Sequence, residues 1–218
     1  MKVAVVIPAY NEEARIGGVL HAVTTSAVDE VVVVSDGSKD KTVEVARSFP
    51  GVKVIELPIN MGKGAAMCAG VLNSTADIIV FIDADLVGLR ASHVEQIVRP
   101  VIDGVDMCIG VFRRGKLWSD AAQVISPYIS GQRAVRRQLI EMIPWLPEVR
   151  MGVEVTLNHV ARKRHMIIRR VVIDGVTHTA KERKFGFVQG TAHRAKMYAE
   201  IGKAMVRSRK YTSRRYLG

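Results

Sequence analysis

The chain has 218 residues and a formal net charge of +11 at pH 7, and 48% of its residues are hydrophobic. That length suits one large domain, and the apolar content excludes a globally disordered chain. No apolar stretch approaches the length of a membrane-spanning helix, and the first residues are typical of a strand rather than a signal peptide. Cys68 and Cys108 lack metal-ligand spacing, so we expect a cytoplasmic protein with two reduced thiols.

The positive charge is concentrated in the last third of the chain. Residues 1–149 carry 15 Lys and Arg against 17 Asp and Glu, a net charge of −2, whereas residues 150–218 carry 17 against 4, a net charge of +13. This asymmetry indicates an anionic partner for the last third: a phosphorylated substrate, a membrane surface or a nucleic acid. A solvated basic face without a specific ligand is the alternative.

The hydrophobic pattern predicts strands and helices that alternate along the chain. The predicted strands cover 3–7, 30–34, 52–57, 78–82, 105–112 and 165–173. The predicted helices cover 11–24, with Asn11 as its cap, 41–48, 62–73, 91–103, 132–143, 152–163 and an amphipathic segment, 188–206. Such alternation is typical of an α/β fold with a mostly parallel, doubly wound sheet and helices on both of its faces.

Two carboxylates directly follow the apolar run 78–82, which is typical of a strand buried on both faces. Asp83 and Asp85 therefore lie at the carboxyl end of a strand, where α/β sheets bind ligands. Their spacing predicts a hard oxygen site for Mg²⁺ or Mn²⁺, and such an ion can neutralise a pyrophosphate. A solvated pair that ends a strand is the alternative.

Polar loops also follow the first three predicted strands, and in a parallel sheet all of these loops lie at one edge. Tyr10 can stack on a base, and Asp36 can accept hydrogen bonds from base or ribose donors. Lys63 stands at a glycine-flanked helix start, where backbone N–H groups can assist it in binding a phosphate. Four polar loops at consecutive strand ends predict one shared ligand.

The ordered segments resemble family 2 glycosyltransferases of the GT-A fold. They are IPAYNEE at 7–13, DGSKDKT at 36–42, NMGKG at 60–64 and DAD at 83–85. The segment SGQRAVRR at 130–137 is similar to the polyprenyl-phosphate branch of that family. The segments GVEV at 152–155 and GVTH at 175–178 are similar to the glucosyl-3-phosphoglycerate synthase group.

The resemblance implies a single GT-A domain over residues 1–218. Its donor half would cover about 1–90 and its acceptor half about 91–187, followed by a basic amphipathic helix and tail over 188–218. The donor would be a UDP- or GDP-hexose. The residues implied to hold it are Pro8, Ala9, Tyr10, Glu12, Asp36, Lys63, Asp83 and Ala84.

The resemblance also implies a divalent ion, Mg²⁺ or Mn²⁺, that bridges the diphosphate to Asp85 and Asp83. In the polyprenyl-phosphate branch, a polar side chain two residues after the second Asp helps to hold the metal, and here that position is Val87. His178 is then the candidate further ligand, because phosphoglycerate-type enzymes place a metal-binding His in a similar segment. An ordinary surface histidine is the alternative.

The acceptor is expected to be an anion. Many relatives that use alcohols carry a Glu-Asp pair in the segment occupied here by Ser130, Gly131, Gln132 and Arg133, and a phosphate acceptor needs no general base. On a helix, Arg133, Arg136 and Arg137 would share a face that clamps a phosphate, or they would pair with Glu141 and solvent. The further cations expected to contact phosphate are Arg113, Lys181 and Arg183, the last two on a loop that closes over the diphosphate.

The catalytic group predicted from the resemblance is Asp85, Arg133 and Glu154. Asp85 would hold the metal, Arg133 would bind phosphate, and Glu154 would act as a base or as a ligand of a sugar hydroxyl. A polyprenyl phosphate is the preferred acceptor, because it explains the basic last third and the segment 188–206 through peripheral contact with an anionic membrane at its inner face. A soluble phosphorylated acid such as 3-phosphoglycerate is the alternative, and the sequence is compatible with a homo-oligomer.

Three other classes of protein fit the sequence less well. A sugar-phosphate nucleotidyltransferase would carry a glycine-rich fingerprint after the first strand, where this chain has Tyr10 to Glu13. A Rossmann dehydrogenase would carry G-x-G-x-x-G at that place. A nucleic-acid-binding module would interleave more aromatic side chains with the charges of residues 150–218.

Overall fold

The computed structural model describes residues 1–112, 130–150 and 152–178, with the backbone alone for residue 178. The strands are β1 (Val3–Ala9), β2 (Glu30–Asp36), β3 (Val52–Leu57), β4 (Ile78–Phe81), β5 (Leu86–Val87), β6 (Met107–Phe112), β7 (Arg133–Arg136), β8 (Ile168–Ile173) and β9 (Thr177–His178). The helices are α1 (Ile16–Thr24), α2 (Thr42–Arg47), α3 (Lys63–Leu72), α4 (Ala91–Ile102), α5 (Arg137–Glu141) and α6 (Val153–Lys163), with a 3-10 helix over Leu146–Glu148.

Seven of these strands form one mixed sheet in the order β3-β2-β1-β4-β7-β6-β8. Strand β7 runs antiparallel to both of its neighbours, and the other paired strands run parallel. The mostly parallel sheet predicted from the sequence is therefore confirmed. The carboxyl ends of β1 to β4 meet at one edge, which we call the carboxyl edge, and α/β sheets bind their ligands at such an edge.

Helices cover both faces of the sheet, and the side chains of β1 pack alternately against the helices of one face and of the other. Val3, Val5 and Ile7 pack with α1, α2 and α4, whereas Ala4 and Val6 pack with α3, α5 and α6. Because successive side chains of a strand point to opposite faces, a strand buried on both sides must be apolar throughout. That requirement explains the continuous hydrophobic runs of β1, β2 and β4.

The helix predicted over 132–143 is wrong in its first half. Residues 133–136 form β7, which pairs Arg133 with Phe81 and Arg136 with Ile78. Ala134 and Val135 are fully buried between β4 and β6. The helical spacing of the arginines is a local signal, and strand pairing with distant residues overrides such signals. The common helical face of the three arginines does not exist.

The first predicted helix starts later than expected. It begins at Ile16, and Asn11 is not its cap because its φ angle is +54°. Asn11 instead joins two loops: its N–H donates to Ser38 Oγ at 3.1 Å, and its Oδ1 accepts from the N–H of Lys39 at 2.8 Å. Asparagine tolerates this left-handed conformation better than most residues.

The predictions for Arg113, Lys181, Arg183 and the segment 188–206 lie outside the described residues. Within the described ranges, no helix combines the length and the apolar character that a bilayer crossing requires.

A two-stranded ribbon of β5 and β9 lies beyond the carboxyl end of β4 and pairs Leu86 with His178.

Candidate active site

Asp83 lies just beyond β4 and is held from two sides. Its Oδ1 accepts from Lys63 Nζ at 2.6 Å, and its Oδ2 accepts from Gln132 Nε2 at 2.8 Å. Gly131 lies against the same carboxylate, because a Cβ atom added there would come within 2.2 Å of Asp83 Oδ2. The three neighbours come from α3 and from the segment before β7. They fix the orientation of Asp83.

Lys63 is the first residue of α3, and its ammonium group bridges two carboxylates. Nζ lies 2.6 Å from Asp83 Oδ1 and 2.6 Å from Glu154 Oε1. Burial alone would lower the pKa of Lys63, but the charges of Asp83 and Glu154 outweigh it and raise the pKa above the ordinary lysine value. Lys63 is therefore a permanent cation in this site.

Glu154 lies in the first turn of α6, and its side chain is only 10% exposed. Burial favours the neutral acid, but the charges of Lys63 and Arg133 outweigh it and hold the pKa of Glu154 below the ordinary glutamate value. A carboxylate with a lowered pKa is a weak proton acceptor. The geometry thus favours hydrogen bonding to a hydroxyl over the role of general base.

Arg133 is fully buried and serves the protein itself. Its Nη1 donates to the Glu154 carbonyl oxygen at 3.2 Å and to Asn158 Oδ1 at 3.1 Å, and its Nη2 donates to the Ser130 carbonyl oxygen. Burial lowers the pKa of Arg133 to about 10, so the guanidinium stays charged at neutral pH. The predicted contact with an acceptor phosphate is wrong for this residue, because no part of it is exposed.

Arg137 lies at the opposite edge of the sheet from Asp83. Its guanidinium donates to the carbonyl oxygens of Ala76 at 2.6 Å, Ser74 at 2.9 Å and Val71 at 3.2 Å. These carbonyls belong to the end of α3 and the loop that leads into β4. Arg137 therefore caps a helix, and the prediction that it binds an acceptor phosphate is wrong.

The backbone amides at the start of α3 are also occupied. The N–H of Lys63 donates to the Arg150 carbonyl oxygen at 3.1 Å, and the N–H of Gly64 donates to the Val149 carbonyl oxygen at 3.0 Å. Helix N-termini bind anions through such free N–H groups. These two amides are therefore not available to a phosphate in this structure, and the contact of the Lys63 side chain with the donor stays a prediction.

Asp36 ends β2 at the carboxyl edge and is 4% exposed. Its Oδ1 accepts from the N–H of Met61 at 2.7 Å, and its Oδ2 accepts from the N–H of Gly62 at 2.9 Å. The carboxylate thus fixes the loop after β3. Each oxygen retains a second lone pair for a ligand donor, so a role in nucleoside binding remains a proposal.

The loop after β1 presents the remaining residues predicted to hold the donor. Tyr10 is 45% exposed at the carboxyl edge, as a stacking platform requires, and Ala9 is buried. Pro8 is half-buried and, like Ala9, belongs to the end of β1. Glu12 is fixed at both ends, because its N–H donates to Thr42 Oγ1 at 2.8 Å and its carboxylate pairs with Arg15 at 3.3 Å.

The donor set for a metal ion lies beside the β5–β9 ribbon. Asp85 directly precedes Leu86, and the pairing of Leu86 with His178 brings the backbone of that histidine next to the carboxylate residue. A carboxylate and an imidazole together suit Mn²⁺, and the carboxylates of Asp83 and Asp85 suit Mg²⁺. The described side chains contain no cluster of three metal-binding groups, and the His178 side chain is not among them.

Sequence reasoning missed two residues of this site. Gln132 is fully buried and donates to Asp83, and Arg150 closes the loop after β3 by donating through Nη2 to Asn60 Oδ1 at 2.8 Å. A buried glutamine carries no periodic signal. The placement of β7 beside β4 was the information needed to find Gln132.

A family model decides where this chain belongs. The model of glycosyl transferase family 2 matches residues 4–143, which include the whole carboxyl edge and β7. The chain belongs to glycosyl transferase family 2. The resemblance drawn from the four ordered segments is therefore confirmed.

Curated members of the family match different lengths of this chain. Glucosyl-3-phosphoglycerate synthase of Mycobacterium tuberculosis is 29% identical, and the match covers 71% of this chain and 59% of that protein. A dolichyl-phosphate beta-glucosyltransferase of Trichomonas vaginalis is 40% identical, but the match covers 38% of this chain and 30% of that protein. This chain thus spans about three fifths of the length of the mycobacterial relative.

Solved structures of the family confirm the fold as GT-A. A crystal structure of glucosyl-3-phosphoglycerate synthase from Mycobacterium tuberculosis, in complex with Mn²⁺, UDP and glucosyl-3-phosphoglycerate, has a TM-score of 0.75 and 23% identity. The likeness covers 95% of this chain and 79% of that chain. Another structure of the same synthase, with Mg²⁺ and UDP, has a TM-score of 0.68 and 24% identity.

Proposed function

We propose that this chain transfers a hexose from a nucleotide-diphosphate sugar to a phosphate-bearing acceptor with the help of Mg²⁺ or Mn²⁺. The observation that supports it most is the carboxyl edge, where Lys63 bridges Asp83 and Glu154, and Asp36 fixes the loop that leads to Lys63. UDP is the first candidate nucleotide, because the mycobacterial synthase was crystallised with it.

The proposed donor contacts follow the order of the strand-end loops. Tyr10 would stack on the base, and Asp36 would accept from base or ribose donors. Asp83 and the backbone of Ala84 would contact the sugar side of the donor, and Glu154 would accept a sugar hydroxyl. Pro8, Ala9 and Glu12 would form the wall beside the base.

The metal is proposed to bind Asp85 and His178, with Asp83 beside them. When bound, Mg²⁺ or Mn²⁺ supplies positive charge where the leaving diphosphate develops negative charge. The residues of the chain orient the donor. The bond from the anomeric carbon to the diphosphate oxygen breaks, its electron pair leaves with the nucleoside diphosphate, and the acceptor oxygen forms the new bond. A phosphate acceptor is already ionised, so no base is required.

The first candidate acceptor is a polyprenyl phosphate. The net charge of +13 over residues 150–218 supports it, because basic segments are attracted to anionic membranes. Arg113, Lys181 and Arg183 are the cations proposed to meet the phosphate group. In this proposal the chain works in the cytoplasm, bound peripherally at the inner face of the membrane, alone or as a homo-oligomer.

A soluble phosphorylated acid such as 3-phosphoglycerate is the second candidate acceptor. The relative that matches 71% of this chain is a glucosyl-3-phosphoglycerate synthase, and the identity to it extends over more of this chain than the identity to the dolichyl-phosphate enzyme. The same three cations would bind the phosphate group of the acid, and no membrane would be needed.

A thermal-shift panel tests the donor site. UDP, GDP, ADP and their glucose and mannose conjugates are each added with Mn²⁺, with Mg²⁺ and with EDTA. We expect the melting temperature to rise with UDP and its conjugates in the presence of metal only, because a ligand of the native state stabilises it by mass action. In an Asp85→Asn variant, the rise in melting temperature with nucleotide should no longer depend on the metal ion. No shift with any nucleotide would contradict the proposal.

A transfer assay then separates the two acceptors. The shifting sugar nucleotide is incubated with a short-chain polyprenyl phosphate in detergent or with 3-phosphoglycerate, and release of nucleoside diphosphate is measured. Product with the lipid alone supports the first acceptor, and product with the acid alone supports the second. Turnover with dephosphorylated acceptors at the same rate would contradict an anionic acceptor.

A further inference from the structure

We propose that Lys63 is a positioning residue that holds Asp83 and Glu154 at a fixed separation for the donor sugar. The proposal deepens the transferase function above and rests on it for its kinetic part. Both ammonium contacts are 2.6 Å long, so the two carboxylate oxygens lie at most twice that distance apart. They come from two elements that are far apart along the chain, the end of β4 and the start of α6.

The two carboxylates need a cation between them. The side chains of Asp83 and Glu154 are 18% and 10% exposed, so water screens their repulsion poorly. Lys63 removes that repulsion and is itself held by the start of α3. Among the described residues, Lys63 is the donor to the Glu154 carboxylate, because Arg133 reaches only the Glu154 carbonyl oxygen.

Asp83 cannot respond to the loss of Lys63 by turning away. Gln132 donates to its other oxygen, and Gly131 fills the space beside the carboxylate. Arg133 holds only the carbonyl oxygen of Glu154, so the carboxylate of Glu154 depends on Lys63 for its position. The loss of Lys63 is therefore expected to displace the Glu154 carboxylate and leave Asp83 in place.

The competing role for Lys63 is direct binding of the donor diphosphate. That role would draw the ammonium group away from two ion pairs and leave Asp83 and Glu154 without the cation that bridges them. The N–H groups that would assist it already donate to Val149 and Arg150. The geometry therefore favours positioning over phosphate binding.

The two roles differ in what the Lys63→Met variant loses. For a positioning residue, the Kd of UDP with Mn²⁺ changes less than threefold, because UDP lacks the hexose that is transferred, while kcat for transfer falls at least tenfold. Lys63→Arg should recover most of kcat, because a guanidinium can also bridge two carboxylates. A tenfold rise in the Kd of UDP with kcat unchanged would overturn the proposal. Lys53→Met, an exposed lysine on β3, is the control.

A stability cycle tests the bridge without any substrate, so it is independent of the transferase function. At pH 8, Glu154→Gln should lower the melting temperature of the wild-type protein, because it weakens one ion pair. In the Lys63→Met background the same change should raise the melting temperature, because it removes one of two facing charges. The control, Glu95→Gln on α4, should change the melting temperature by the same amount in both backgrounds. An effect of the same sign in both backgrounds for Glu154→Gln would overturn the proposal.

Discussion

Two arginines of β7, Arg133 and Arg136, have different roles because they lie at opposite ends of the strand. Arg133 begins β7 beneath the candidate site and is fully buried, whereas Arg136 ends the same strand and its side chain is 30% exposed. The guanidinium of Arg133 ties the carbonyl of Ser130 to the first turn of α6. A single buried cation thus fixes the relative position of Gln132 and Glu154.

Replacement of Arg133 by Met is expected to lower the free energy of unfolding by about 3 kcal/mol, because it leaves buried carbonyl groups without donors. Urea denaturation measures the loss. Arg136→Met is the matched control, since the ion pair of Arg136 with Asp106 is 3.9 Å long and partly exposed. This variant should lose about 0.5 kcal/mol of the free energy of unfolding. Equal losses for the two variants would contradict the structural role of Arg133.

Replacement of Gly131 by Ala is expected to disable the donor site while the fold persists. The added Cβ would lie 2.2 Å from Asp83 Oδ2, and that carboxylate is already held by Lys63 and Gln132. We expect at least a tenfold loss in kcat/KM, about 1.4 kcal/mol in transition-state stabilisation. Gly18→Ala is the control: nothing lies within 4 Å of its added Cβ, so activity should not change. Full activity of Gly131→Ala would show that Asp83 tolerates displacement.

At the scale of elements, α3 is held at both ends by segments that lie far along the chain. Its first N–H groups donate to the carbonyl oxygens of Val149 and Arg150. Arg137 donates to the Val71 carbonyl oxygen in its last turn and to the Ser74 carbonyl oxygen just beyond its end. Gly64 permits the close approach at the first end, because an added Cβ would lie 2.2 Å from the Leu146 carbonyl oxygen. The helix that carries Lys63 is therefore fixed along its axis.

Replacement of Arg137 by Met tests the far end of α3. We expect a loss of about 1–3 kcal/mol in the free energy of unfolding, since three carbonyl oxygens lose a charged donor. UDP binding with Mn²⁺ should not change, because the residue lies at the edge opposite the carboxyl edge. Denaturation in urea and calorimetric titration measure the two quantities. Weaker UDP binding at unchanged stability would restore the phosphate role expected from the sequence.

The sequence predicted the elements whose signals are local. The buried runs of β1, β2 and β4 and the strand-end loops were all recognisable, because a doubly buried strand must be apolar and its loop must be polar. Strand β7 was not, since its four residues carry two arginines and their fate depends on pairing with β4 and β6. Short strands of this kind are specified by their neighbours.

The candidate site was predictable residue by residue but not contact by contact. Asp83, Lys63 and Glu154 were all named from the sequence, yet the ion pairs between them join positions 20 and 91 residues apart. Gln132 was missed for the same reason. Sequence motifs give the chemistry that a site can hold, and tertiary packing decides which groups already satisfy one another.

At the scale of the whole molecule, the candidate site does not share the positive charge of the last third, although Glu154 comes from that part of the chain. Within the described residues, the site combines two cations, Lys63 and Arg133, with the anions Asp83 and Glu154, so this inner network is balanced. Because this network carries no net charge, the charges of a bound metal ion and diphosphate would be balanced by Asp85 and by residues outside the network.

The stability of the protein is expected to have a plateau between about pH 7 and pH 9, because burial lowers the pKa of His93 and the unfolded chain binds that proton first as the pH falls. Burial would raise the pKa values of Glu154 and Asp40, but charges and hydrogen bonds outweigh it and lower both, so the unfolded chain binds protons first as the pH falls. Stability is then lost below the ordinary carboxyl range. Burial raises the pKa of Cys68 to about 11 and of Cys108 to about 12, both from 9.0, so the unfolded chain loses thiol protons first as the pH rises.

Urea midpoints measured from pH 3 to pH 10.5 test this plateau. Stability should fall at both ends, and Cys68→Ala should reduce the fall above pH 9 because one of the two raised thiol pKa values is gone. A midpoint that still rises between pH 9 and pH 10.5 would contradict the expected alkaline loss.

The central position of β7 also dictates when the sheet can close during synthesis. Strand β4 has β1 on one side and β7 on the other, and β7 is translated about fifty residues after β4. Until residue 136 leaves the ribosome, β4 presents an unpaired edge and four apolar side chains that are buried in the finished sheet. Such edges recruit other strands. The nascent chain is therefore expected to be prone to aggregation until β7 pairs with the free edge of β4.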